Sequence, residues 1–240
     1  IPITKKKHLQ DLLFLRLFQK NDKVIFICNF QKQCYKEKYF FHPRISQVIY
    51  NGIDISHYSR EATERETDSS GMNWKQQLGL NGQDKTILIT GRLALEKGHL
   101  YAIGALQQLH SFHHLSAHLI IVGGGTPEFE AALHQAAEKS GLKEYIHFTG
   151  SRKDVRPYLY QADLFTLTSF SETFSMAALE ALSMGVPCSL TRIGGSPEMI
   201  MDDAIGMLCE SRDEVSIADS WNQLLRKEPD REKITAFVAN

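Results

Sequence analysis

Two glutamates lie eight positions apart in the stretch SETFSMAALEALSMGVP, which spans residues 171–187. Glu172 stands in a Ser/Thr-rich turn, and Glu180 stands in an alanine-rich run that predicts a helix. Ser175 is a suitable N-cap for that helix, and the glycine and proline that follow would end it. An ionised carboxylate accepts two hydroxyl donors at once, as the diol of a ribose requires. The pattern therefore predicts one hydroxyl-binding carboxylate before the helix and another in its second turn.

The start of this predicted helix has the geometry of an anion site. At a rise of about 1.5 Å per residue, Ser175 and Glu180 are roughly 8 Å apart along the axis, close to the distance from a nucleotide's ribose to the group beyond its diphosphate. The free N–H groups of residues 174–176 would point at the diphosphate between them. The competing interpretation is that Glu172 complements the helix dipole while Glu180 lies in solvent.

A second set of charged residues lies in GRLALEKGH, residues 91–99, directly after a predicted strand. Gly91 permits a tight exit from the strand, and Arg92 and Lys97 bring two cations to its carboxyl end. Such cations could neutralise a departing diphosphate, the arginine as a planar fork and the lysine as a mobile point charge. The alternative is a solvated surface pair between Arg92 and Glu96.

Two glycine-rich turns separate strands from helices, in VGGGTPEFE (122–130) and TRIGGSPEMI (191–200). Neither contains GxGxxG, and no GxxxxGK[ST] loop occurs, so neither a dinucleotide fingerprint nor a P-loop is supported. We interpret the glycines at 123–125 as turn geometry.

Apolar β-branched runs alternate with helical patterns along almost the whole chain. This alternation predicts right-handed crossovers and an α/β fold, a Rossmann-like doubly wound parallel sheet covered on both faces. In such a sheet, ligands bind at the carboxyl ends of the strands. The predicted strands are 23–29, 47–52, 85–91, 117–125, 145–150, 163–169 and 187–191, and the predicted helices are 98–113, 126–140, 154–161, 175–184, 196–202 and 213–228.

The composition is that of an ordinary globular protein with almost no net charge. Hydrophobic residues make up 42% and charged residues 23%, and 27 basic against 28 acidic side chains give a net charge of −1. No global field would attract nucleic acid, so we expect no nucleic-acid partner. Four cysteines without CxxC spacing predict buried thiols in a reducing compartment. We therefore expect a cytoplasmic protein, at the inner face of a membrane if the acceptor is a lipid.

Taken in order along residues 47–210, these motifs resemble the donor-binding half of a GT-B glycosyltransferase, most closely the large retaining family 4, or group 1. A single motif would be weak, but several in register are specific. They are VIYNGIDISHY for the interdomain strand and turn, ITGRLALEKG for the phosphate-binding segment, LIIVGGGTPEFE, IHFTGSRKDVRPYLYQADLFTLTS, the two glutamates, and GGSPE.

The resemblance implies transfer of a hexose from a nucleotide-diphosphate sugar, UDP favoured over GDP, to a hydroxyl of an acceptor sugar or glycolipid with net retention. Arg92 and Lys97 would hold the diphosphate. Glu180 would bind the ribose, and Glu172 a hydroxyl of the sugar. Neither a metal nor a cofactor is expected, because two cations can stabilise the leaving diphosphate.

Other residues of the expected donor site follow from the same resemblance. The loop from Gly150 through Arg152 to Val155 would lie beside the base. The family's sugar-binding turn often reads Glu-Gly-Phe-Gly-Leu, and side chains at 173 and 175 would narrow it here. The residues of this turn expected at the donor site are Thr173, Phe174, Ser175 and Met176, and Gly91, in the phosphate-binding segment, is expected there too.

The expected domain organisation follows the same resemblance. Residues 1–50 would be the last part of an amino-terminal acceptor domain, and residues 51–240 the nucleotide-sugar-binding domain, with 58–85 as a polar connector. We expect the usual final helices to be missing or curtailed after residue 228. The chain would then be a fragment that is inactive in transfer on its own.

Three other functions compete with transfer. A GT-B sugar-nucleotide epimerase shares the donor site but needs acid/base groups near the sugar, which are not evident at 171–176 or 191–198. A nucleotide-binding module without activity fits a fragment. A phosphorylase is disfavoured, because TRIGGSPEMI has no lysine for pyridoxal phosphate.

Two weaker signals remain. The histidines in HSFHHLSAH, residues 110–118, have metal-compatible spacing, but no Cys, Asp or Glu joins them. The basic, Leu/Phe-rich run at 5–20 could contact an anionic membrane surface, although a core or interface role is favoured. An oligomer through residues 1–50 is expected if the apolar strand in this segment lacks its own sheet.

Overall fold

A parallel six-stranded sheet organises the fold in the computed structural model, which describes residues 22–39, 45–70 and 73–239. A separate two-stranded sheet precedes it. The strands are β1 Lys23–Phe26, β2 Ile45–Val48, β3 Lys85–Thr90, β4 Ala117–Val122, β5 Ile146–Gly150, β6 Leu164–Leu167, β7 Cys188–Thr191 and β8 Gly206–Cys209. In the large sheet they lie in the order β5-β4-β3-β6-β7-β8.

Most of the described helices lie between these strands, as the predicted alternation requires, and two follow β8. They are α1 Asn29–Tyr39, α2 Arg60–Ser70, α3 Trp74–Gln77, α4 His99–Ser111, α5 Pro127–Lys139, α6 Arg156–Gln161, α7 Met176–Ser183, α8 Ser196–Met199, α9 Glu214–Leu225 and α10 Arg231–Ala239. Single turns of 3-10 helix occur at Leu95–Lys97 and Lys143–Tyr145. Within the part of the chain that the structure describes, no helix combines the length and apolar character needed to cross a membrane.

Successive residues of the central strands enter two different hydrophobic cores. Ile87 and Ile89 of β3 pack with the inner faces of α4, α5 and α9. Leu88, between them, packs on the opposite side with residues of α6, α7 and α10. A sheet buried on both faces needs nearly continuous apolar strands, which is why the strand signals in the sequence were strong. The predicted doubly wound α/β class is confirmed for the described residues.

The strand order creates a crevice between the carboxyl ends of β3 and β6. The chain leaves β3 toward β4 on one side, and leaves β6 toward β7 on the other. Crossovers that diverge in this way leave an opening above the sheet, where α/β proteins bind ligands. The segments that border it are 91–98 after β3 and 168–175 after β6. Both were selected from the sequence for their chemistry.

The expectation that residues 58–85 are a connector outside the core was wrong. Trp74 is fully buried, its ring stacks on Tyr158 at 5.5 Å between centroids, and its indole N–H donates to the Pro157 carbonyl at 3.0 Å. The preceding helix α2 binds α6 through charged groups, with Arg156 paired to Glu66. The polar composition reflects ion pairs at a packed surface, which periodicity alone does not reveal.

Further elements were missed or misjudged at the ends of the chain. The helices α2 and α10 and the strand β8 were not predicted, whereas α1 matches the helix expected after the strand at 23–29. Strand β1 was expected to be apolar and buried on both faces, but Ile25 is 60% exposed while Phe26 is buried. The run at 5–20 lies outside the described residues. The expected oligomer remains a prediction.

Three of the four histidines of 110–118 contact other parts of the fold. His110 Nε2 lies 2.9 Å from the Ala117 carbonyl oxygen, and His113 Nε2 lies 2.9 Å from Asp219. His118 Nδ1 lies 3.0 Å from His147 Nε2 on the neighbouring strand. In the described residues, no group of three or more possible metal ligands occurs.

The burial of His99, the first residue of α4, predicts that the fold is less stable in acid. It is buried, and neither ring nitrogen has a well-formed hydrogen bond to the described residues. Burial lowers the pKa of His99 from 6.5 to about 4. The unfolded chain therefore takes up a proton that the folded chain resists, so the free energy of unfolding falls as pH drops from 6.5 toward 4.

We expect His99→Met to remove about 2–3 kcal/mol of this pH dependence, as a pKa difference of this size implies. Urea unfolding between pH 7 and pH 4 measures it. His114→Asn is the control, because His114 is exposed and its left-handed φ of 50° is tolerated by asparagine. Identical pH slopes for His99→Met and the unaltered chain would contradict the assignment.

Candidate functional site

Lys97 and Glu172 form an ion pair at the crevice between β3 and β6. Lys97 Nζ lies 2.6 Å from Glu172 Oε2, and both side chains are largely buried. Lys97 ends the 3-10 turn that follows β3, whereas Glu172 lies in the turn that follows β6. The two residue types that the sequence selected separately, a phosphate-binding cation and a hydroxyl-binding carboxylate, are therefore in direct contact.

The backbones of the two loops are tied together beside this ion pair. The N–H of Phe170 donates to the Glu96 carbonyl at 2.9 Å, and Thr168 Oγ1 donates to the Gly98 carbonyl at 2.9 Å. Gly98 has a left-handed φ of 69°, and a Cβ there would overlap the Thr168 carbonyl. Only glycine allows this approach, which brings Lys97 to Glu172.

The glycine pair of GGSPE holds the turn that carries Glu172. A side chain at Gly194, whose φ is 56°, would overlap the Glu172 carbonyl, and the Gly195 N–H donates to the Thr173 carbonyl at 2.6 Å. Phe174 is buried next to Gly195. The orientation of Glu172 is thus set by backbone contacts from the loop after β7.

Ser175 caps α7 as predicted. Its side-chain oxygen accepts the N–H of Ala178 at 3.2 Å. The N–H groups of Met176 and Ala177 lie in the first turn, where a helix supplies no acceptors of its own. Met176 itself is exposed. The amino end of α7 therefore offers backbone donors and a positive dipole end beside Glu172.

Glu180 lies one turn further along α7 and binds a residue that we did not single out in the sequence. The hydroxyl of Tyr58 donates to Glu180 Oε1 at 3.1 Å. Burial raises the pKa of Glu180, and the hydrogen bond from Tyr58 opposes this increase. Burial, with the nearby charge of Glu180, raises the pKa of Tyr58 to about 12, so the phenol acts as a donor. Tyr58 is the last residue of VIYNGIDISHY, and nothing in that stretch indicates a contact with Glu180.

Arg92 does not join the Lys97–Glu172 pair. Its side chain is 71% exposed, and its Nη2 lies 2.6 Å from Glu96 Oε1. This is the surface pair that was the alternative interpretation of the segment. The neighbouring Gly91 fits closely against Gly123, where any side chain would overlap the Gly91 carbonyl. Gly123 is therefore required by close packing, and not by the turn geometry that we expected.

The loop expected beside a base follows β5, next to the Tyr58 side of the site. Gly150 has a φ of 72° and accepts the N–H of Gly123 at 3.0 Å. Arg152 is exposed, and Val155 packs in the same hydrophobic cluster as Tyr58. The loop and the partner of Glu180 therefore pack on the same side of the sheet.

The family model for glycosyl transferases group 1 matches residues 72–238. The chain belongs to this family. The match includes Arg92, Lys97, Glu172 and Glu180, and begins just before the buried Trp74.

Relatives of known name agree with this membership. N-acetyl-alpha-D-glucosaminyl L-malate synthase of Bacillus anthracis is 31% identical over 183 residues, which cover 76% of this chain and 45% of that protein. D-inositol 3-phosphate glycosyltransferase of Corynebacterium urealyticum is 30% identical over 202 residues, which cover 82% of this chain and 46% of that protein. The chain therefore spans about half the length of the curated relatives it matches.

The fold is also found in solved glycosyltransferase structures. Anabaena HepE in complex with UDP and glucose superposes with a TM-score of 0.80 at 23% identity, over 99% of this chain and 61% of that chain. The larger sheet is thus the carboxy-terminal half of a GT-B fold, as the sequence motifs indicated.

In this member of the group 1 family, Glu198 of α8 binds the segment before residue 51 to the domain that holds the large sheet. Its carboxylate accepts the N–H groups of Asn29 and Phe30 at 2.9 and 2.8 Å, and the hydroxyl of Tyr50 at 2.7 Å. Burial opposes ionisation, but these hydrogen bonds outweigh it and lower the pKa of Glu198. No local pattern in GGSPE indicates a role for Glu198, because its partners lie far away in the chain, about 150 residues in the case of Tyr50.

We expect Glu198→Ala to loosen α1 without unfolding the large sheet, because α1 loses the acceptor at its first turn. Hydrogen exchange of residues 29–39 should accelerate by a factor that corresponds to about 1–3 kcal/mol. Exchange detected by mass spectrometry measures this.

Glu210→Ala is the matched control, because Glu210 forms only an exposed pair with Arg192 at 3.2 Å. If α1 exchanges at the same rate in both variants, the carboxylate of Glu198 does not hold the segment.

Proposed function

We propose that this chain carries the donor site of a retaining glycosyltransferase, which transfers a hexose from UDP-hexose to a hydroxyl of an acceptor sugar or glycolipid. The observation that carries the proposal is the Lys97–Glu172 pair at the sheet crevice, beside the amino end of α7 and one turn from Glu180. Along the chain, the free N–H groups at the start of α7 lie between the two carboxylates, and Lys97 contacts the first of them. A nucleotide-diphosphate sugar likewise has its diphosphate between the hydroxyls of the sugar and those of the ribose.

The diphosphate would lie over the amino end of α7. Lys97 can donate to a phosphate oxygen while it keeps Glu172, because an ammonium group has three donors. Arg92 would exchange Glu96 for the phosphate, which costs little because the existing pair is exposed. The backbone N–H groups of Met176 and Ala177 would complete the anion site.

The two carboxylates would divide the hydroxyls between them. Glu180, further along α7, would accept from the ribose, and Glu172 from a hydroxyl of the sugar. The side chains of Thr173 and Ser175 would narrow the sugar site. The loop from Gly150 to Val155, with Arg152, would border the base.

In the transfer itself, the bond from the anomeric carbon to the diphosphate oxygen breaks and a bond to the acceptor oxygen forms on the same face. The acceptor proton moves to the leaving diphosphate. The charge that develops on the diphosphate would be stabilised by Lys97, Arg92 and the helix amides, so the step requires no metal.

The relatives support UDP and a glycoconjugate product. The solved HepE structure holds UDP and glucose, and the Bacillus relative is named a synthase of N-acetyl-alpha-D-glucosaminyl L-malate. Since the chain spans about half of its relatives, we expect these residues alone to bind the donor without turnover. The acceptor contacts of a GT-B cleft come from its other half. We place the reaction in the cytoplasm, at a membrane face if the acceptor is a glycolipid.

The diphosphate assignment predicts metal-independent binding of UDP. Calorimetric titration should give the same affinity with and without EDTA. Lys97→Ala and Arg92→Ala should each weaken binding by about 2 kcal/mol, because a hydrogen bond to a charged group is lost.

Lys143→Ala controls for general charge, since Lys143 is an exposed lysine at the amino end of β5, paired with Glu138 at 3.1 Å. A large loss of affinity on chelation, or an equal loss in the control, would sink the assignment.

Comparison of UDP with UDP-glucose should distinguish the roles of the two carboxylates. Glu180→Ala should weaken UDP and UDP-glucose equally, by roughly 1.5–3 kcal/mol, because both ligands carry the ribose. Glu172→Gln should lower the affinity for UDP-glucose relative to UDP, since only the former carries the sugar. The ratio of the two dissociation constants measures this for each variant. An unchanged ratio in Glu172→Gln would leave Glu172 as a partner of Lys97 alone.

A further inference from the structure

We infer that Tyr58 is a positioning residue for the nucleotide ribose, whose hydroxyl fixes the carboxylate of Glu180 so that its remaining lone pairs face the 2′,3′-diol. This inference rests on the proposed function, because it assigns a helper to the ribose-binding glutamate. The contact that motivates it is the 3.1 Å hydrogen bond from the Tyr58 hydroxyl to Glu180 Oε1.

The phenol of Tyr58 is held by its surroundings. The N–H of Tyr58 donates to the Asp54 carbonyl at 3.0 Å, and the ring of His57 packs edge-on against it at 5.1 Å. Arg156 donates to the His57 carbonyl at 3.4 Å. The ring itself lies in the hydrophobic cluster on the α7 side of the sheet. A fixed donor of this kind can restrict a glutamate that otherwise samples many rotamers.

A carboxylate offers about four lone-pair sites, and a single phenol occupies one of them. The remaining sites can still accept the two hydroxyls of a ribose. If Tyr58 fixes Glu180 before the ligand binds, the nucleotide need not order the side chain, and the hydroxyl contacts give more net affinity. The benefit should appear only with ligands that use Glu180.

The competing role for Tyr58 is ordinary packing, in which the ring fills the cluster and the hydroxyl merely satisfies Glu180. Phenylalanine would then serve equally well. The two roles differ in one measurable respect. Positioning links the Tyr58 hydroxyl to the hydroxyls of the ribose, whereas packing affects every nucleotide alike.

The test compares Tyr58→Phe with the unaltered 240-residue chain, using UDP and 2′,3′-dideoxy-UDP, which lacks both hydroxyls assigned to Glu180, in calorimetric titrations. The unaltered chain should prefer UDP. Tyr58→Phe should weaken UDP about tenfold, a change of about 1.4 kcal/mol, and weaken 2′,3′-dideoxy-UDP less than about twofold. The preference for the ribose should therefore shrink. Both dissociation constants of a ratio are measured on the same protein preparation. An unfolded fraction therefore affects both titrations alike and does not change the ratio.

Tyr160→Phe is the matched control, because its hydroxyl donates to Glu64 of α2 at 2.9 Å. That variant should keep the preference for UDP. Glu180→Ala serves as the reference in which the preference is lost, with or without the Tyr58 hydroxyl.

The outcomes distinguish the inference from the proposed function. If Glu180→Ala loses the preference for UDP and Tyr58→Phe keeps it, Tyr58 is a packing residue and the inference is wrong, while the donor site stands. If the chain binds no UDP, or Glu180→Ala leaves the preference unchanged, the ribose assignment fails and the inference fails with it.

Discussion

The close approach of two loops, at the carboxyl ends of β3 and β6, determines the geometry of the whole site. Gly98 lies against the Thr168 carbonyl, where no other residue fits. This contact places Lys97 within 2.6 Å of Glu172. Each charge would be costly in this partly buried position without the other. The fold therefore holds a cation and a carboxylate in fixed relation before any ligand arrives, and α7 begins four residues after Glu172.

The two ion pairs of this site differ in how readily a ligand could replace the carboxylate partner of each cation. Arg92 and Glu96 are neighbours on one turn and largely exposed, so their pair contributes little. Lys97 and Glu172 come from different loops and are mostly buried. A dianionic ligand would thus recruit Arg92 by replacing a weak contact, while Lys97 would keep its partner and add another. The site can gain positive charge toward a ligand without losing the orientation of Glu172.

The sequence was informative wherever a signal was local. The central strands, the Ser175 cap and the charged segment at 91–98 could be predicted because burial on both faces, capping and strand ends leave patterns within a few residues. Trp74, Tyr58 and Glu198 were missed because each acts through a distant partner, Tyr158, Glu180 and α1 in turn. The glycines at 123 and 98 resemble turn residues in sequence, but the structure requires them for close backbone contact.

The polar segment between β2 and β3 packs on the fold although its composition indicated a connector. It crosses the outer surface of α6 and α7, and its charged groups meet backbone and ionic partners there. Arg60 donates to the Met184 carbonyl at 3.3 Å, and Glu66 pairs with Arg156 at 2.6 Å. A helix that packs through ion pairs has a polar face where an apolar stripe is expected. Because the same segment brings Tyr58 to Glu180, the attachment of α2 to α6 and α7 also sets the position of the side chain nearest the predicted ribose site.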